Sequence, residues 1–156
     1  LEEPQAQPDP RTYATAPRNA PERTQGPSTD ALVTSVVAGI QEVKGSRICI
    51  VDFSAIQNSV AARFIICEGQ SNTQVEAIAR SVEEFTEKMH DESPWMKQGL
   101  RGGQWALLDY ADVVVHIFHK DWRVHYGLEE LWADAPQQVL PDVEDARPDP
   151  EDFPEY

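Results

Sequence analysis

The fold class this sequence predicts is an α/β layer domain with a mixed β-sheet and helices mainly on one face. Three observations predict it. Two stretches carry apolar residues at steps of three and four, the spacing of a helix with one buried stripe. Four short runs are continuously apolar and rich in β-branched residues, as buried strands are. These segments fall in the order helix, strand, strand, helix, strand, strand, short helix, all between Ala31 and Ala135.

The first helix is predicted over Ala31 to Lys44. Asp30 would cap it, Leu32, Val33, Val36, Val37, Ile40 and Val43 would form its stripe, and Gly45 would end it. The run RICIVDF, 47–53, reads as a buried strand, and RFIICEG, 63–69, as a second one stopped by Gly69. A polar connection, 54–61, joins them. Ser71 or Asn72 would cap a long helix running to about His90, with Val75, Ile78, Val82, Phe85 and Met89 on its core face. Residues 91–104 hold Pro94 and three glycines and read as a loop. QWALLDY, 104–110, and DVVVHIF, 112–118, leave only Ala111 between two strands, which predicts a tight hairpin or a bulged strand. WRVHYGLEELWADA would close the core with one or two helical turns, Leu128, Leu131 and Trp132 facing inward.

Proline sets the expected boundaries. Of 12 prolines in the 156-residue, 17.5-kDa chain, six lie in residues 1–30 and five in 136–156. The first 30 residues have almost no large apolar side chains and cannot offset their ordering entropy alone, so a disordered extension is expected. Residues 136–156 carry seven acids and one Arg and read as an acidic tail. The 105 residues between them suit one small domain.

The formal charge is −14. That argues against broad binding to bare nucleic acid, which depends on phosphate neutralisation by Lys and Arg, but does not exclude a basic protein partner, which an acidic surface would help to steer. No apolar run approaches the roughly 20 residues of a membrane span.

Several constellations bear on chemistry. His116, His119, Asp121 and His125 lie within ten residues and are of zinc-ligating type, but no H-E-x-x-H spacing is present, so a packed or surface cluster is the better reading and no metal is expected. Cys49 and Cys67 sit inside apolar strands and read as buried, inert thiols. Gly69-Gln70-Ser71 lies between a strand and a helix. It could hold a phosphate, with Asp109 and Asp112 as metal-binding carboxylates of a nucleotidyl transferase, but a helix cap is the simpler reading. Gly99-Leu-Arg-Gly-Gly103 lacks the Gly-Lys-Ser/Thr of a phosphate loop and reads as a mobile loop.

The densest feature is WALLDYADVVVHIF followed by WRVHYGLEELW. It holds five of the chain's eight Trp and Tyr residues. Trp105, Leu107 and Asp109 would share one side of their strand. Trp122, Tyr126 and Trp132 suit the core. Trp105 and Tyr110, at a loop edge and a turn, are candidates for an interface, where Trp and Tyr are common anchors.

The pattern Trp105-x-Leu107-Leu108-Asp109-Tyr110-x-Asp112-Val-Val-Val-His116-x-Phe118, then Arg123-x-x-Tyr126-x-Leu128-Glu129-x-Leu131-Trp132-x-Asp134-Ala135, closely resembles the ribosomal silencing factor, or Iojap, family. Ile50-Val51-Asp52, Phe64-Ile65-Ile66, Gly69-x-Ser71 and Gln74-Val75-x-Ala77-Ile78-Ala79 agree with it. The resemblance implies a nucleotidyltransferase-like α/β domain without catalytic carboxylates, and a factor rather than an enzyme, with no cofactor. It implies docking on large-subunit ribosomal protein fourteen. Small-subunit joining would then be blocked, as translational silencing or as anti-association in large-subunit biogenesis. The partner-binding surface it implies is an exposed sheet side with Trp105, Leu107, Leu108, Asp109, Tyr110 and Asp112, with Arg123 and Glu129 as possible support. Two positions depart from the family: Ala62-Arg63 replaces an Asp-Tyr pair, and Ala106 replaces a larger aliphatic. A first residue other than Met, together with the N-terminal extension, leads to the expectation of a mature organellar protein in the mitochondrial matrix, with chloroplast or bacterial cytoplasm as alternatives. For a mitochondrial member, small accessory proteins including an acyl carrier protein are further partners. The competing readings are the nucleotidyl transferase at Ser71 and a general adaptor acting through the tails.

Overall fold

The computed structural model describes residues 9–15, 19–56, 59–99 and 103–143. Six strands form one open mixed sheet in the order β3-β4-β5-β2-β1-β6. They are β1 (Ser46–Asp52), β2 (Arg63–Gly69), β3 (Met96–Gly99), β4 (Trp105–Asp109), β5 (Val113–His119) and β6 (Gln137–Val139). Among the described residues the only parallel pair is β2 with β5, at the centre. The 43 residues between them carry α3 (Asn72–His90), β3 and β4, long enough for the crossover a parallel pair needs.

Strand alternation divides the core into two layers. On one side Ile48, Ile65, Cys67, Leu108, Val113, Val115 and Ile117 meet α2 (Thr29–Glu42) and α3. On the other, Cys49, Val51, Phe64, Ile66, Trp105, Leu107, Val114 and Phe118 meet only short elements. These are α1 (Pro10–Thr15), α4 (Lys120–Tyr126) and α5 (Leu128–Leu131). The two long helices therefore share one face, and the second face has a cover of its own.

The strands and long helices lie close to their predicted spans. Ser71 caps α3, its Oγ accepting the Gln74 amide at 3.1 Å. α2 begins two residues before the expected position, because Ser28 caps it and Asp30 falls inside the first turn, where a carboxylate suits the helix dipole. The core stripe of α3 holds for Val75, Ile78 and Val82, but Thr86 then takes the buried position, Phe85 is half-buried and Met89 is 56 % exposed. Leu131 is likewise exposed, whereas Leu128 is buried and Trp132 packs edge-on against Phe53 at 4.8 Å.

Three elements fall outside the sequence expectations. β3 occupies part of the predicted loop 91–104. α1 lies in the expected extension, and β6 beyond the boundary expected at Ala135, paired antiparallel with β1. The rest of both tails and most of the Gly99–Gly103 loop lie outside the described residues. Among the described residues no helix is long and apolar enough to cross a membrane.

Candidate docking surface

The β4–β5 hairpin is the frame of the site. Trp105 pairs with Phe118, Leu107 with His116 and Asp109 with Val114, so all six side chains project from the face away from the long helices. An aromatic row crosses that face. The Phe64 and His116 ring centroids are 4.8 Å apart, His116 lies nearly parallel to Phe118 at 6.3 Å, and Phe118 stacks on Tyr126 of α4 at 5.7 Å. The Trp105 indole N–H donates to His116 Nδ1 at 3.4 Å, which makes that nitrogen the acceptor.

Asp109 builds the turn. Its Oδ1 accepts the Ala111 amide at 2.8 Å and holds Ala111 at φ +75°, a conformation that side chains other than Gly rarely adopt. The Tyr110 amide donates to the Val113 carbonyl at 2.8 Å and closes the tight hairpin. The second oxygen of Asp109 accepts the Tyr13 hydroxyl of α1 at 2.5 Å. Asp112 stays at the surface with its side chain 42 % exposed, 3.6 Å from an Arg23 nitrogen.

These positions correct the expectation of a single exposed patch. Alternation sends Leu108 and Tyr110 to the opposite layer, beneath the long helices, where the Tyr110 hydroxyl pairs with Thr86 Oγ1 at 2.9 Å. Burial pushes the Tyr110 phenol up. Trp105, Leu107 and Asp109 do share a face, but they are fully buried beneath the short elements. Of the six, only Asp112 reaches the surface. One strand cannot present the four consecutive residues Leu107 to Tyr110 to one partner, and the recognisable block is therefore divided between the two buried layers.

Arg123 and Glu129 support the frame. Their side chains meet at 2.6 Å, Arg123 reaches Glu68 of β2 at 3.2 Å, and it also donates to the Arg47 carbonyl. Together these contacts tie the α4–α5 corner, turned at Gly127 (φ +55°), to the sheet. At the departure from the family pattern, Arg63 lies 3.2 Å from Asp30 and 3.4 Å from Asp52, joining the start of α2 to the end of β1.

The nucleotidyl transferase constellation is not assembled. Gly69 pairs with His119 at one end of the central strands, whereas Asp109 pairs with Val114, itself opposite Phe64, at the other. Five residues of strand separate those levels, about 17 Å. The other candidates are also dispersed. His116 is within the aromatic row, His119 Nδ1 accepts the Asp121 amide at 3.2 Å as the cap of α4, and His125 meets Trp122 edge-on. Cys49 and Cys67 are buried, and burial pushes the Cys67 thiol up to about 12.

The feature that sequence reading missed is α1. Ala14 is fully buried in the same cluster as Trp105 and Leu107, and the Arg11 guanidinium lies 5.7 Å from the Tyr126 ring centre. A signal for it existed. Asp9-Pro10 places a capping residue before a proline at the first helical position, and the Asp9 carboxylate does accept the Arg11 amide at 2.9 Å.

The described residues thus form an α/β domain whose sheet carries an aromatic row on one face, in a chain of formal charge −14. The chain belongs to the ribosomal silencing factor family: the family model described as "Ribosomal silencing factor during starvation" matches residues 26–155. The ribosomal silencing factor of Halalkalibacterium halodurans is 35 % identical over 116 residues, covering 74 % of this chain and 97 % of that protein. The chloroplastic Iojap protein of Zea mays is 38 % identical over 78 residues, covering 50 % of this chain but 33 % of its own length. A crystal structure of a protein from Chromobacterium violaceum superposes with a TM-score of 0.64 at 29 % identity, covering 69 % of this chain and 88 % of that one.

Proposed function

We propose that this chain is a non-catalytic factor that docks on large-subunit ribosomal protein fourteen and blocks joining of the small subunit. The outcome is translational silencing or protection of a large subunit during assembly. Membership of the silencing factor family supports association with the ribosome. The observation that carries the choice of surface is the β4–β5 hairpin: Trp105, Leu107 and Asp109 lie on the sheet face that has no long helix, and Asp112 stands at its rim. Leu108 and Tyr110 hold the strand from behind, and Arg123 with Glu129 holds the adjoining corner.

A net charge of −14 suits a basic protein partner and disfavours spreading over ribosomal RNA. No reaction is assigned, since the Ser71 turn and Asp109 stand at opposite ends of the sheet. The compartment is that of the cognate ribosome. The resemblance points to the mitochondrial matrix, where an acyl carrier protein would be an accessory partner, while the matched relatives are bacterial and chloroplastic.

Co-sedimentation with isolated large and small ribosomal subunits tests the reading. Comigration with the large subunit alone is expected, weakened severalfold by Asp112→Asn, which removes a rim charge while keeping the size of the side chain. Absence of comigration at low and moderate salt would overturn it.

A further inference from the structure

The face proposed for docking is already occupied by a segment of the same chain. α1 places Ala14, with no exposed surface, in the cluster of Trp105 and Leu107. The Tyr13 hydroxyl donates to Asp109 at 2.5 Å and lies 3.5 Å from Met96 Sδ on β3. Arg11 sits over Tyr126, at the far end of the aromatic row. Three successive contacts thus lay the helix along the surface, and one of them takes a carboxylate that a basic partner would seek.

The helix is also poorly suited to stand alone. Six residues are far fewer than the roughly 12–15 an isolated helix needs, so its helicity depends on docking. Its apolar hold comes from Pro10, Ala14 and part of Tyr13, set against the entropy of ordering the segment. A neutral tyrosine hydroxyl is a weaker counterpart for Asp109 than a Lys or Arg of a basic protein would be.

Resting on the docking reading above, we propose that α1 is a displaceable cover: an intramolecular competitor that occupies the ribosome-facing surface of the free protein and is expelled when a basic ribosomal protein binds. The cover makes docking conditional. Affinity for the large subunit is lowered by the population of the closed form, and anything that holds α1 away from the sheet raises it.

The test uses the full chain and two variants. Ala14→Asp puts a charge where the helix is buried and frees the cover without altering the domain beneath; Tyr13→Phe removes only the hydroxyl. Dissociation constants for isolated large subunits are measured alongside amide hydrogen exchange of residues 9–15. Binding about tenfold tighter for Ala14→Asp and about threefold tighter for Tyr13→Phe is expected. Exchange at 9–15 should be slow in the free full chain and fast in the complex. Equal or weaker binding by Ala14→Asp, with an unchanged melting temperature, would overturn the cover while leaving docking intact. Persistent protection of 9–15 in the complex would do the same. If neither the full chain nor Ala14→Asp bound the subunit, docking itself would fail, and the cover with it.

Discussion

Trp105 stands where core and docking face meet. Its indole is buried between Leu107, His116 and Phe118, and its N–H is held by His116. Truncation would remove a large packed ring and the indole N–H that His116 Nδ1 accepts. Trp105→Ala is therefore expected to cost about 3–5 kcal/mol of folding stability, read as a shift in the urea midpoint. A loss of ribosome binding in that variant would report on unfolding before it reported on contact, which is why the rim residue Asp112 is the better probe. The residue scale is also where sequence reading went furthest and then stopped. The alternation that groups Trp105, Leu107 and Asp109 is visible in the letters. What covers them is not, because burial by α1 depends on a contact across 96 positions, between Tyr13 and Asp109.

The packing of α2 on α3 turns on a glycine. A Cβ added at Gly39 would lie 2.8 Å from Val82 Cα, and the Ser81 hydroxyl donates to the Gly39 carbonyl at 2.7 Å, so the helix backbones approach closely there. Ala is the better helix former by about 1 kcal/mol, yet the backbone contact cannot yield. Gly39→Ala is expected to destabilise the fold by about 1–3 kcal/mol, measured by thermal or chemical denaturation. Legibility at this scale follows length and pattern. α2, α3 and the four apolar strands each bury a side that repeats in sequence. β3 has only four residues, Met-Lys-Gln-Gly, with no fully buried position, and β6 has three residues, all exposed. Both join the sheet through backbone pairing, which side-chain patterns do not record.

Charge and pH act on the molecule as a whole. Burial pushes the Cys67 thiol up to about 12 from an ordinary 9.0, and it also raises Tyr110. Both groups have folded values above their unfolded ones, so the stability they confer is fully present below about pH 9. It is lost as pH rises through 9 towards 12, because the unfolded chain ionises first. The unfolding free energy from urea titrations is expected to fall steadily above pH 9, by up to about 1.4 kcal/mol per pH unit from Cys67 alone.

The sheet has one further consequence, in time rather than in space. β1 is made before the other five described strands, but among the described residues its outer edge is paired only by β6, roughly 85 residues later. At ordinary translation rates that is about 4–17 s. Throughout that interval the nascent chain carries an unpaired edge along Cys49, Ile50 and Val51, open to any other strand in reach. A protein proposed to keep ribosomal subunits apart thus closes this edge of its own sheet only after β2 to β5 have been made on one.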